Sequence, residues 1–189
     1  MSILKVARMG HPVLRQKARP IEKHELKNAA LQQFLDDMIE TMREYSGVGL
    51  AAPQVHQGLR IFVAHLDPDG RGEGRPLTII NPEIEVVGEQ IVEGWEGCLS
   101  IPDIRGKVPR ALEIKVRGMD RQGKRFELAA REFPARVIQH ETDHLDGILF
   151  FDRMKSFESL AYLDEFSRFH ARRDEDDEDE NEDEDEGDD

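Results

Sequence analysis

The chain has 189 residues, with 40 acidic and 26 basic side chains and a formal net charge of −14. Residues 174–189 hold 14 acids and no base, whereas acids and bases balance in the rest of the chain. Because so acidic an end cannot bury apolar surface, we expect a disordered acidic tail over 173–189 after one folded domain over 1–172. The single cysteine excludes an internal disulfide, and no apolar run reaches the roughly 18 residues of a membrane span.

Residue patterns predict the secondary structure in chain order. Apolar side chains at helical spacing predict a long amphipathic helix over 21–45. Alternating or β-rich stretches then predict strands over 60–65, 77–81, 83–92, 111–119 and 124–129. A buried helix follows from about residue 133, and a last amphipathic helix is predicted over 156–172. A block of strands between helices is typical of an α+β fold, here with mixed or antiparallel sheets around the buried helix.

The buried helix carries the motif HExxH at 140–144. Its spacing places His140 and His144 on one face, where both imidazoles can bind a metal ion. Glu141 lies one residue round the helix, where it can reach a water at that ion. The alternative is a helix with two partly buried histidines and a surface glutamate. A third ligand would favour the metal site.

Candidates for the third ligand lie on both sides of the motif. Downstream, Phe150 occupies the position at which a metzincin has its third histidine. Glu158 and Glu165 fall in the predicted last helix, where a solvated face is the simpler interpretation. Upstream, Cys98 would complete a three-ligand site with a fourth position open for water, although most lone cysteines are small buried apolar residues.

Three segments together indicate a family. They read GVGLAAPQ at 47–54, EGCLS at 96–100 and QHETDHLDG at 139–147. In this order and at these separations they resemble the motifs of peptide deformylases, GxGLAAxQ, EGCLS and QHExDHLxG. The resemblance extends from 11–15 to 149–153, and so makes 1–172 a deformylase-like catalytic domain. It implies removal of the formyl group from the N-terminal formylmethionine of new polypeptides in the bacterial cytoplasm, with one divalent metal ion per chain.

The resemblance also implies roles for individual residues. Cys98, His140 and His144 would hold the metal, usually Fe²⁺ in the cell, with Zn²⁺ or Ni²⁺ as substitutes. Hydroxide formed at the metal would attack the formyl carbonyl, with Glu141 as general base and then general acid. The side-chain amide of Gln54 and the backbone N–H of Leu99 would stabilise the oxyanion.

The residues expected to bind the substrate are Val48, Gly49, Glu96, Arg136 and Val137. Gly49 has a second interpretation, since the glycines at 47 and 49 could simply form a tight turn. Arg136 departs from the apolar residue that some deformylases have near the methionine pocket. Strict selection of methionine is therefore less firmly implied than the reaction.

The expected partners are nascent N-formylmethionyl polypeptides, with a transient ribosome contact through the last helix as a further expectation. The polyanionic end should be repelled by RNA, so we expect no direct, specific binding of nucleic acid. Two other classes of protein remain. One is an HExxH metallopeptidase that cleaves internal peptide bonds, and the other is a noncatalytic formyl-peptide binding module.

Overall fold

The computed structural model describes residues 2–66 and 74–171. The predicted tail over 173–189 lies outside these residues, and the boundary at residue 172 therefore stays a prediction. Within the described parts of the chain, none of the helices combines the length and the apolar character that crossing a membrane would require.

The described residues form three α-helices and six strands. The helices are α1 Ala29–Glu44, α2 Glu132–Leu145 and α3 Leu163–Phe169. The strands are β1 Gly49–Ala51, β2 Ile61–Ala64, β3 Leu77–Cys98, β4 Ile101–Met119, β5 Arg125–Arg131 and β6 Ala161–Tyr162. Short 3₁₀ helices occur at Pro12–Arg15, Glu25–Lys27, Ala52–Val55 and Phe150–Arg153. The strands form one sheet of order β1-β2-β3-β4-β5, with β6 on β4, and every pairing between them is antiparallel. The predicted α+β class is confirmed.

The long hairpin of β3 and β4 replaces three shorter predicted strands. The predicted strands over 77–81 and 83–92 are parts of β3, and their apparent break is a register shift between Ile80 and Glu83. Such a bulge interrupts the alternation of side chains without ending the strand. The prediction also missed residues 93–98 and 101–110, because buried positions there include Glu96, Gly106 and Arg110, which give no apolar alternation.

The first helix is shorter than predicted. It begins at Ala29, where the Asn28 side chain accepts a hydrogen bond of 2.8 Å from the Ala30 N–H and caps the helix. Ile21 and Leu26 precede the helix but are buried in the same cluster as its apolar face. Their apolar character reflects this packing and not a helical turn, so the predicted start at residue 21 was wrong.

The last helix, predicted over 156–172, is present, but its predicted start at residue 156 was wrong. Among the described residues of this stretch, the helix α3 spans Leu163–Phe169, and Ala161–Tyr162 forms β6. Tyr162 pairs with Ile104 and Ala161 with Arg105 of β4. The backbone of this segment thus satisfies its hydrogen bonds through the sheet, which side-chain periodicity does not report.

The core places α2 against the sheet. One apolar cluster joins Ile79, Ile114 and Val116 of the sheet to Ala135 and Ile138 of α2. A second cluster packs α1 against β1 and β2. Because β3 ends at Cys98, the packing of α2 on this sheet brings the cysteine close to the helical histidines.

Gly147 follows the end of α2, the helix that carries the HExxH motif. Its φ of +74° is left-handed, and the Ile148 N–H returns to the Asp143 carbonyl at 2.9 Å. A Cβ at this position would lie 2.7 Å from the backbone carbon of Arg15. The glycine of QHETDHLDG therefore satisfies both a backbone and a packing requirement.

We predict that Gly147→Ala destabilises the protein by about 2 kcal/mol or more, because alanine meets both the left-handed backbone and the Arg15 main chain. Urea unfolding would measure the free energy. The matched control is Gly58→Ala, since a Cβ there has no atom within 4 Å. Equal stability of the two variants would contradict this account of Gly147.

Candidate metal centre

Three side chains that can ligate a metal converge at the end of β3. Cys98 comes from this strand, and His140 and His144 come from one face of α2. Their ligand atoms all lie within 4.8 Å of one another, and the Cys98 Sγ is 3.2 Å from the His144 Nε2. All three residues are buried. The structure thus brings together the ligand set expected from the sequence.

The donor atoms suit a divalent transition metal. A thiolate and two imidazoles are ligands that Zn²⁺ and Fe²⁺ both accept. The Nδ1 of His140 is held by Glu96 Oε2 at 2.8 Å, which leaves its Nε2 for a ligand. Burial, with positive charge at His140 and Arg110, lowers the pKa of His144 well below its ordinary value and favours the neutral imidazole that binds metals.

Glu141 lies beside this cluster with its carboxylate buried. Among the described residues, its Oε2 has no hydrogen-bond partner. Burial raises the pKa of Glu141 to about 7. Gly49 leaves the space that the carboxylate occupies, because a Cβ on Gly49 would lie 2.7 Å from the Glu141 Cδ. Both residues thus belong to one tightly packed contact.

Gln54 and Leu99 lie near Cys98, although they come from different segments of the chain. Gln54 lies in the 3₁₀ helix Ala52–Val55, and its Oε1 accepts a hydrogen bond of 2.8 Å from the Ala51 N–H. This bond fixes the amide so that its Nε2 is 3.4 Å from the Cys98 Sγ and 3.3 Å from the Ser100 Oγ. Leu99 follows Cys98 directly, in the turn between β3 and β4.

Glu96 is the centre of a buried ionic network. Its carboxylate accepts hydrogen bonds from Arg110 Nε at 2.8 Å and Arg136 Nη1 at 2.9 Å, and contacts the His140 Nδ1. Burial alone would raise the pKa of Glu96, but the hydrogen bonds from Arg110 and His140 outweigh it and hold this pKa well below its usual range. Glu96, expected in the substrate pocket, thus also orients a candidate metal ligand.

The network continues through residues that the sequence analysis missed. Arg110 also bonds to Asp143, and Arg153 donates to Asp143 Oδ1 at 2.7 Å. Asp143 lies inside the HETDH motif, so its position could have drawn attention to it. Arg110 lies outside the three motifs; it belongs to β4, which pairs with β3, and its guanidinium reaches the Glu96 carboxylate from that strand.

One cavity of about 650 Å³ contains the candidate site. It is lined by Gln54, Cys98, Leu99, His140 and Glu141, and by all the residues expected to bind substrate, namely Val48, Gly49, Glu96, Arg136 and Val137. The guanidinium of Arg136 donates to the carbonyls of Val92, Gly94 and Val108 as well as to Glu96. The hydrogen bonds to these residues therefore hold the Arg136 side chain against the β3–β4 hairpin. Trp95, Phe133 and Leu163 also line the cavity and were not foreseen.

A cysteine and two histidines at a cavity, with a buried carboxylate beside them, form the arrangement of a metal-dependent hydrolase. The family model of polypeptide deformylase matches residues 3–159, and the chain belongs to this family. The resemblance seen in the three motifs is thereby confirmed. The family consists of enzymes that remove the N-terminal formyl group and release formate, so the expected enzyme class is confirmed as well.

Individual relatives match over most of the chain. Peptide deformylase 2 of Nostoc sp. is 46% identical over 158 residues, which cover 82% of this chain and 87% of the relative. Peptide deformylase of Halothermothrix orenii is 46% identical over 155 residues, covering 82% and 95% respectively. A solved structure of class I type b peptide deformylase from Acinetobacter baumannii with Met-Ala-Ser bound has a TM-score of 0.75 and 42% identity, covering 82% of this chain and 100% of that chain.

We predict that Arg110→Met destabilises the protein by about 3 kcal/mol, because each of the buried carboxylates of Glu96 and Asp143 loses one of its two guanidinium partners and keeps only Arg136 or Arg153. Arg117→Met on the same strand is the matched control. Arg117 also pairs with two carboxylates, Glu85 and Glu127, but all three side chains are exposed, so its melting temperature should stay close to that of the wild type. Thermal and urea unfolding would measure both, and similar losses would refute a special role for the buried network.

Proposed function

We propose that this protein removes the formyl group from the N-terminal formylmethionine of nascent polypeptides, with a divalent metal held by Cys98, His140 and His144. The observation that carries the proposal is the unpartnered carboxylate of Glu141 next to the three ligands, in a cavity that Gln54 also lines. The solved relative from Acinetobacter baumannii with Met-Ala-Ser bound supports it, because this peptide begins with the residue that deformylation exposes.

The bound ion would supply Lewis acidity, which lowers the pKa of a coordinated water from 15.7 to about 7. We propose Fe²⁺ as the ion in the cell, with Zn²⁺ or Ni²⁺ as substitutes, since thiolate and imidazole ligands accept all three. Glu96 would orient the His140 imidazole through its bond to Nδ1.

Glu141 would move the proton. Its Oε2 is free of partners in the described structure and can accept a proton from the attacking water. When the bond between the formyl carbon and the amide nitrogen breaks, the same carboxyl group would deliver that proton to the departing nitrogen. The water oxygen stays with the formyl carbon, and the products are formate and a free N-terminal amine.

Gln54 and Leu99 would stabilise the oxyanion that develops on the formyl oxygen. The Gln54 Oε1 is already bonded to Ala51, so its Nε2 keeps a constant direction and can donate to this oxygen. The backbone N–H of Leu99 would be the second donor. A donor of this kind typically contributes about 3 kcal/mol to lowering the barrier.

The substrate peptide would lie along β1. Among the described strands, β1 is at the edge of the sheet and pairs only with β2, so its other edge can bind a peptide backbone. Val48 and Val137 would contact the methionine side chain, and Gly49 would allow the peptide to approach closely. We further propose that the protein acts in the bacterial cytoplasm and contacts the ribosome transiently.

The deciding experiment is formate release from formyl-Met-Ala-Ser by the anaerobically prepared, Fe²⁺-loaded protein. Glu141→Gln keeps the shape of the side chain and removes the base, so we expect kcat to fall by about 10²- to 10⁴-fold. Glu89→Gln, at an exposed position, is the matched control and should keep full activity. Metal content should be equal in all three proteins.

Two results would refute the proposal. One is a wild-type protein that is folded and loaded with metal but releases no formate. The other is a Glu141→Gln variant that keeps normal activity. Cleavage of internal peptide bonds without formate release would favour the metallopeptidase alternative.

We also predict that Gly49→Ala lowers kcat by about tenfold or more, because the new Cβ would displace the Glu141 carboxylate. Relative to the wild type, we expect Gly49→Ala to show a small change in melting temperature and a large decrease in the rate of formate release. Gly58→Ala, at a glycine with open space around it, is the control. Full activity of Gly49→Ala would show that the position of the Glu141 carboxylate does not limit the reaction.

A further inference from the structure

The segment after residue 159 contributes to the cavity although it lies beyond the family match. The match ends at residue 159, yet Leu163, the first residue of α3, lines the same cavity as Cys98. This part of the wall is therefore supplied by sequence outside the shared family region. It can differ between this chain and its relatives without changing the three motifs.

Several contacts fix this segment at the cavity. The strand β6 pairs with β4 at Ile104 and Arg105, directly before Leu163. The Lys107 N–H donates to the Ser159 Oγ at 3.0 Å just before that strand. Because Arg105 itself lines the cavity, this pairing holds the beginning of α3 at the rim.

Trp95, on β3, contacts both α3 and the cavity. Its ring lies 4.9 Å from that of Phe166 and 5.0 Å from that of His170, and Lys107 Nζ is 5.4 Å from the ring centre. Contacts of this kind restrain an aromatic side chain. Trp95, which also lines the cavity, is thus held by the same helix that presents Leu163.

Trp95 and Glu96 point to opposite faces of β3, since successive side chains of a strand alternate. Glu96 faces His140, and the proposed methionine pocket lies on its side. Trp95 is on the face of Gly97, where the absent side chain makes room for Arg105, whose Nε would lie 2.7 Å from a Cβ. In an extended peptide, neighbouring side chains alternate in the same way. If methionine points to the Glu96 side, the next residue points to the Trp95 side.

We propose that Trp95 and Leu163 form an apolar wall that contacts the side chain following formylmethionine and favours a large apolar residue at that second position. The inference rests on the proposed function and adds a selectivity to it. The cations Lys5, Arg8 and Arg105 also line the cavity, so a preference for an acidic second residue is the competing outcome.

The test compares formate release from formyl-Met-Leu-Ser, formyl-Met-Ala-Ser and formyl-Met-Asp-Ser by the full-length, Fe²⁺-loaded protein. We expect the wild type to favour leucine over alanine by about tenfold in kcat/KM. In Leu163→Ala this ratio should fall at least threefold, through a higher KM for the leucine peptide. Leu163→Met should restore the ratio, because it replaces the lost volume.

Phe169→Ala is the matched control on the same helix. Phe169 is 52% exposed and is not among the residues that line the cavity, so its ratio should equal that of the wild type. Circular dichroism and melting temperature would show whether α3 is retained in each variant. If Leu163→Ala loses α3, Leu163→Val takes its place, because valine keeps part of the apolar side chain and should still lower the ratio relative to Leu163→Met.

Three outcomes would contradict the proposed apolar wall. They are equal wild-type rates for the leucine and alanine peptides, a preference for the aspartate peptide, or a ratio that Leu163→Ala leaves unchanged. All three leave the proposed function standing, because formate is still released. No formate from any peptide would instead refute the proposed function itself.

Discussion

The candidate site depends on the hydrogen bonds of one buried carboxylate, that of Glu96. It binds Arg110 and Arg136 and holds the Nδ1 of His140, so one side chain connects β3, β4 and α2. Burying this charge is costly unless it is paired, and the network supplies two guanidinium partners within 3.0 Å. The orientation of the His140 imidazole, a candidate metal ligand, is therefore coupled to the packing of the helix on the hairpin.

Two glycines are as important for this site as its charged side chains. Gly49 gives the Glu141 carboxylate its space, and Gly97 gives Arg105 its space beside Cys98. Because a Cβ at either position would overlap its neighbour, these glycines let two charged side chains approach the cavity at short distance.

Local patterns predicted part of the fold well. The α+β class, the strand at 60–65 and the helix carrying the HExxH motif agree with the structure, because each depends on residues close in sequence. The predicted starts of the first and last helices failed where tertiary packing overrode periodicity: Ile21 and Leu26 are buried without being helical, and Ala161–Tyr162 joins the sheet. The long hairpin was predicted in fragments because a bulge interrupts β3, and because buried positions of the hairpin include Glu96, Gly106 and Arg110, which are not apolar.

The sequence alone determined the candidate ligands Cys98, His140 and His144, the carboxylate of Glu141 and the family, since spacing on one helix and three short motifs carry that information. Only the tertiary structure showed that Arg110 donates a hydrogen bond to Glu96, and that Leu163 and Trp95 line the same cavity. These contacts join residues distant in sequence through strand pairing and helix packing. Their distances depend on the whole fold, which no local pattern of residues specifies.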